Sequence, residues 1–156
     1  MTDVHSREQR RKNMSAIKNR DTKPELQIAK LLQDLQFDSQ AQPHLHDTRP
    51  DFYLPQQQLA LFVHGCFWHG HQCHLFKVPA TRTEFWLHKI KANQQRDQKV
   101  QETLKLHSIR RLIIWECSLK GKHRLAPAEL SMRLEEFVLS GNENAEISHQ
   151  GFEIRA

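Results

Sequence analysis

Three cysteines and several histidines fall where a metal ion could gather them. Cys66, His71 and Cys73 lie within eight residues, and the remaining cysteine, Cys117, follows a strongly apolar run. Thiolate and imidazole suit Zn2+, and a Cys3His set fills a tetrahedral shell, so such a site would be structural, with no open position. Spacing alone does not choose the histidine, since His69 and His74 are within reach of the same ion as His71. Three cysteines cannot all pair within one chain, and a reducing compartment would keep them as thiols, available for metal or for burial.

A second candidate is a carboxylate. Arg49-Pro50-Asp51 opens one strand-like run and Phe62-Val63-His64 closes the next. Many metal-dependent nucleases place a Pro-Asp on one strand and an acid-x-Lys on its neighbour, because carboxylates hold hard Mg2+ and a basic group handles the attacking water. Here the pattern is half matched: Phe62 stands where the acid would be and His64 where the lysine would be. A turn before a strand explains Pro50-Asp51 equally well.

The elements that must position these groups read as follows. Thr22 and Glu25 have capping-box spacing, and Leu26, Ile28, Leu31, Leu32 and Leu35 follow at helical intervals, predicting a helix over 23–36. Runs over 51–54 and 59–64, separated by a polar turn, predict a β-hairpin. The stretch 65–79 is dense in Gly, His, Cys and aromatic residues without periodicity, as suits a loop organised by a metal. Thr83 is placed to cap a long helix reaching His107, with Trp86, Ile90, Asn93, Asp97, Val100 and Leu104 on one side and a basic remainder. A buried strand is expected over 111–116 and a last helix over 128–139, ended by Gly141. The sum is a single α/β domain with a mixed central sheet flanked by helices, spanning 21–140, behind a basic arm at 1–20 and before a polar, loosely held tail at 141–156.

Composition bounds the partners. The chain has 156 residues, enough for one modest core, with 23 Lys+Arg against 18 Asp+Glu and 11 histidines. The net charge of +5, with Arg7, Arg10, Arg11, Lys12, Lys18 and Arg20 in the arm, suits a polyanion, although a solvated helical face has the same charge pattern. No run approaches the roughly 18 to 20 apolar residues of a membrane span, and the polar start lacks the apolar segment of a signal peptide. A soluble, cytoplasmic protein with no membrane partner is expected.

The departures from the general nuclease pattern are themselves features of one family. The block His64-Gly65-Cys66-Phe67-Trp68-His69, followed by Leu75-Phe76-Lys77-Val78-Pro79-Ala80-Thr81-Arg82-Thr83-Glu84-Phe85-Trp86, resembles the very-short-patch-repair (Vsr) mismatch endonucleases. So do Lys12-Asn13-Met14-Ser15, Arg49-Pro50-Asp51-Phe52 and Trp115-Glu116-Cys117, so that the resemblance runs from the arm to about Leu139. It implies a restriction-endonuclease-like fold with a zinc-bound loop, and nicking of DNA 5′ of the thymine in a T:G mismatch left by deamination of 5-methylcytosine. It also implies that Asp51 ligates Mg2+, that Val63 adds its backbone carbonyl, and that His69 is the general base with Asp97 as its orienting partner. His64 and Glu25 would support the ion's hydration shell, and Cys66, His71, Cys73 and Cys117 would hold structural Zn2+. Phe67, Trp68 and Trp86 would act as wedges between base pairs, least costly to insert at a mismatch, with Lys89 and Asn93 reaching the exposed base edges. Core anchors and a solvated helix face are the plainer readings of those five residues.

Three other readings share much of this pattern: a zinc-organised DNA-binding module without hydrolytic activity, a protein whose zinc loop mediates assembly, and a related nuclease with a different target. Asp51 with His64 and His69 separates the enzyme from the first, and the basic arm and helix from the second. Nicking one strand at an asymmetric mismatch needs no symmetric dimer, so a monomer is expected, with MutL-type repair proteins as possible partners.

Overall fold

The computed structural model describes residues 22–155. Helix α1 (Lys23–Asp34) starts as its sequence predicts: Thr22 accepts a hydrogen bond from the Glu25 amide and Pro24 sits in the first turn. Strands β1 (Gln40–Ala41), β2 (Phe52–Leu54) and β3 (Leu59–His64) follow, then the long helix α2 (Thr83–Leu106) and strand β4 (Arg110–Trp115). A short 3-10 turn (Glu116–Ser118), helix α3 (Pro127–Ser140) and strands β5 (Asn144–Ser148) and β6 (Gly151–Arg155) complete the chain.

The six strands form one sheet in sequence order. Pairing is antiparallel through β1, β2 and β3, parallel from β3 to β4 to β5, and antiparallel again for β5 with β6. β3 and β4 are central and covered on both faces, which is why they read as continuous apolar runs rather than alternating ones. Leu59, Leu61, Leu112 and Ile114 face α1 and α3, where Ile28, Leu32, Leu134 and Val138 complete the larger core. Ala60, Phe62, Ile113 and Trp115 face the other way, toward Leu104 of α2 and the cysteine loop.

On α2, Ile90 and Leu104 are buried and Trp86, Asn93, Asp97 and Val100 are partly covered, while Lys89, Lys91, Arg96, Lys99 and Lys105 are exposed. The predicted stripe is therefore the packed side of the helix. Thr83 does not cap it. Arg82, with φ 57°, occupies that place, and the Thr83 hydroxyl instead donates to the carbonyls of Pro79 and Ala80.

The tail over 141–156 also needs correction. Residues 144–155 form a hairpin that extends the sheet, and Ala145 and Ile147 are fully buried in the main core. Two small apolar residues alternating with Asn144, Glu146 and Ser148 are a faint period-2 signal. What fixes them is parallel pairing with β4, a contact made across more than thirty residues of chain. The domain thus continues through β6 rather than closing at 140. The expected basic arm at 1–20 lies outside the described residues. Among those described, no helix is long and apolar enough to cross a membrane.

Candidate active site and metal centre

Asp51 stands just before β2, opposite the end of β3, because antiparallel pairing brings the start of one strand to the finish of the next. Its amide donates to the Leu61 carbonyl at 3.0 Å, and its Oδ2 accepts from the Val63 amide at 2.6 Å. The carboxyl is pushed up to about 7, chiefly by burial and further by the nearby Glu25; the Val63 hydrogen bond and His69 oppose this. Glu25, also buried, accepts a hydrogen bond from the Gln42 amide group at 3.2 Å. A buried carboxyl with a second acid beside it is a setting that a hard divalent cation would fit.

His64 ends β3 and His69 lies in the loop beyond, yet their rings stack at 3.8 Å with only 2° between planes. His64 is buried, its Nδ1 meets no hydrogen-bond partner among the described residues, and burial together with His69 and Arg111 holds it well below the usual imidazole range. It is therefore neutral at pH 7. His69 Nδ1 lies 2.6 Å from Oδ2 of Asp97, a residue on the packed side of α2. An acceptor carboxylate at Nδ1 favours the tautomer in which Nε2 carries the lone pair, the state needed to take a proton. The His69 carbonyl is in turn held by Gln94 Nε2 at 3.2 Å.

The cysteine loop folds onto the same end of the sheet. The amides of His69 and His71 donate to the carbonyls of Gly65 and Cys66 at 3.2 and 2.9 Å, coiling the loop tightly after β3. Cys66, His71, Cys73 and Cys117 come together with one ligand atom each, all within 4.8 Å of one another. Cys117 reaches them because β4 runs parallel to β3, with Trp115 in register with His64. The Cys117 thiol is pushed down to about 4, first by the hydrogen bond from Cys66, whose own thiol is held up by the same contact. A thiolate already favoured in a set of three sulfurs and one imidazole is a fit for a zinc-like ion. His71 is the histidine that joins the set; its ring stacks on Trp115 at 4.2 Å. His69 is engaged by Asp97, and His74 turns toward His123 and His149 instead.

Phe67, Trp68 and Trp86 pack edge to face, with centroids 5.2 to 5.8 Å apart. They are satisfied by one another rather than by the core, and Trp68 remains exposed. Asn93 donates to the Trp68 carbonyl at 2.8 Å and accepts from Arg96, fixing the aromatic loop to α2. A cleft of about 590 Å³ joins these parts, lined by Glu25, Val63, His64, His69, Lys89 and Asn93 among others. The predicted candidates around Asp51, His69 and the aromatic trio thus share one end of the sheet. Sequence reasoning missed Gln42, Gln94 and His149. The first two are ordinary polar residues known only by what they touch. His149 approaches Cys117 Sγ with its amide at 3.3 Å and its Nδ1 at 3.4 Å, from a segment read as a tail.

A mixed sheet flanked by helices, with a buried carboxyl and paired histidines beside the end of β3, has the restriction-endonuclease-like fold. The fold matches that of a solved structure, the catalytic domain of the homing endonuclease I-Bth0305I, with a TM-score of 0.52 at 16% identity, covering 78% of this chain and 98% of that one. The family model described as DNA mismatch endonuclease Vsr matches residues 2–75. Over the full length of both chains the protein is 44% identical to the DNA mismatch endonuclease Vsr of Escherichia coli. It is also 37% identical over 119 residues to the type II nicking enzyme V.XorIIP of Xanthomonas oryzae pv. oryzae, covering 76% of this chain and 88% of that one. The chain belongs to the Vsr family of DNA mismatch endonucleases.

Proposed function

We propose that this mismatch endonuclease uses Mg2+ to nick one strand of duplex DNA 5′ of the thymine in a T:G mismatch, the lesion left by deamination of 5-methylcytosine. The observation that carries the reading is Asp51, buried within electrostatic reach of Glu25 and His69, beside a cleft lined by Glu25, the stacked His64 and His69 and the aromatic loop. Asp51 Oδ and the Val63 carbonyl would hold Mg2+, which when bound supplies charge stabilisation of the phosphate undergoing displacement. His69 Nε2 takes the proton from the attacking water, and Asp97 holds the ring in the necessary tautomer and balances the imidazolium that forms. His64, stacked against His69, fixes the plane of that ring and, with Glu25, would support the hydration shell of the Mg2+ ion. Cys66, His71, Cys73 and Cys117 would hold Zn2+, which when bound would keep the loop bearing His69 rigid.

Phe67, Trp68 and Trp86 would exchange their mutual packing for stacking between base pairs, and selectivity would come from the lower unstacking cost at a mismatch, a few kcal/mol per step. Lys89 and Asn93 then face the exposed base edges, and the basic arm at 1–20 adds phosphate contacts that make binding salt-dependent. The protein would act as a cytoplasmic monomer, with MutL-type proteins as candidate partners.

The test is nicking of end-labelled duplexes carrying T:G or C:G within CTWGG, with wild type and Asp51→Ala. Mg2+-dependent cleavage 5′ of the mismatched T, lost in the variant, is expected. Binding without cleavage under every divalent metal tried would refute the nuclease chemistry. Equal cleavage of T:G in unrelated contexts would instead place the chain with nicking relatives of another target sequence.

A further inference from the structure

Beyond the Cys3His set, a second group of potential ligands stands unassigned on the same side of the molecule. His74, His123 and His149 come from three separate turns and converge edge to face, with ring centroids 4.7 Å (His74 to His123), 4.9 Å (His74 to His149) and 6.1 Å (His123 to His149) apart. They are 26 to 75 residues apart in sequence, so no local pattern accounts for their meeting. Nor does a core: His74 and His123 are exposed and His149 is only partly covered. We propose that these three histidines form a second transition-metal site, for a borderline divalent ion such as Zn2+, Ni2+ or Cu2+.

The chemistry of His149 gives the site its anchor. His149 is held against Cys117 Sγ by two contacts, its backbone amide donating at 3.3 Å and its ring Nδ1 lying at 3.4 Å, where a ring N–H can donate to the sulfur. A neutral imidazole protonated at Nδ1 has its lone pair on Nε2, the form that binds metals. His149 is thus held by the first metal centre in the tautomer required by a second. His74 is tethered likewise, being the residue after the ligand Cys73. The rings are not yet converged on one point, and closing the site would turn the side chains of His74 and His123, both solvent-exposed on turns. Imidazole nitrogens without thiolate or carboxylate select Ni2+, Cu2+ and Zn2+ over Mg2+, so the site is distinct in preference from the one at Asp51. Three protein ligands leave room for water in the shell. Occupancy would tie the turn between β5 and β6 to the cysteine loop and to the turn before α3.

The experiment uses the full chain with its Zn2+ intact, equilibrated with Ni2+ and passed through a desalting column, with both metals counted by mass spectrometry. Wild type should retain one Ni2+ in addition to its Zn2+. His123→Ala and His74→Ala should each weaken Ni2+ uptake by about 10- to 100-fold while keeping Zn2+. His149→Gln should lose the Ni2+ and also release Zn2+ more readily to a chelator. Ni2+ should raise the Tm of wild type but not of His123→Ala. The proposal is overturned by any of three results: no Ni2+ retained, Ni2+ taken up only by displacing Zn2+, or uptake unchanged in both His74→Ala and His123→Ala. The site stands apart from the nuclease reading, since Asp51→Ala should bind this Ni2+ as wild type does.

Discussion

His69 Nδ1 and Asp97 Oδ2 lie 2.6 Å apart, joining the loop after β3 to the packed side of α2. The contact does two things: it fixes which nitrogen of His69 can accept a proton, and it ties the aromatic loop to the helix that carries Lys89 and Asn93. Asp97→Asn preserves shape but allows the other tautomer. Single-turnover nicking of a T:G duplex should fall by about 10²- to 10⁴-fold with little change in DNA affinity. An unchanged rate would remove Asp97 from the proton-transfer scheme.

The raised Asp51 carboxyl makes both stability and Mg2+ binding depend on pH. The folded protein holds this proton up to about pH 7, against an ordinary value of 3.8. Between those values, with Mg2+ withheld, the folded chain binds one more proton here than the unfolded chain. The contribution of Asp51 to stability is therefore greatest below about pH 4 and is lost as pH rises toward 7, on the order of 4 kcal/mol in all. Urea denaturation of wild type and Asp51→Asn across that range should show the decline only in wild type. Because Mg2+ must displace the proton, its apparent affinity should fall about tenfold for each pH unit below 7 and level off above, as calorimetric titration can read.

Gly70 has φ +65°, and a Cβ there would lie 2.5 Å from Gln94 Nε2 and 2.9 Å from Ile90 Cγ2. That same Nε2 donates to the His69 carbonyl. Gly70→Ala should cost about 1–2 kcal/mol from the backbone alone and displace His69, lowering the nicking rate more than the equilibrium stability suggests. Denaturant midpoints and single-turnover rates measured on one preparation separate the two effects.

Loss of a cysteine ligand should act at a distance. Cys117→Ser substitutes no residue lining the cleft, but should reduce bound Zn2+ and slow nicking as the loop bearing His69 loosens. Metal content, thermal unfolding and nicking should fall together. Full activity in a zinc-depleted, folded variant would contradict the supporting role of that centre.

Ile147 tests the C-terminal hairpin. It is fully buried against the main core, so Ile147→Ala should destabilise the domain by about 2–5 kcal/mol, measured by denaturant unfolding. A residue in a loosely held tail would give almost nothing.

Much of this molecule is local in origin and therefore readable along the chain. The Thr22 cap, the apolar runs of β3 and β4, and the α2 stripe from Trp86 to Leu104 each follow from propensity and periodicity within a few turns of chain. The cysteines and histidines marked a candidate metal site by residue type alone, and the paired runs around Asp51 and Val63 announced a hairpin. Tertiary structure decided the rest. Which histidine joins the sulfurs depended on where β4 delivers Cys117, and parallel register with β3 set that. β5 stayed hidden because Ala145 and Ile147 are too few to signal a buried strand until β4 pairs with them. The meeting of His149 with Cys117, 32 residues earlier, is likewise a product of the sheet. Periodicity reports what a segment buries against its own neighbours; partners far along the chain are chosen by strand order, and no local pattern encodes that choice.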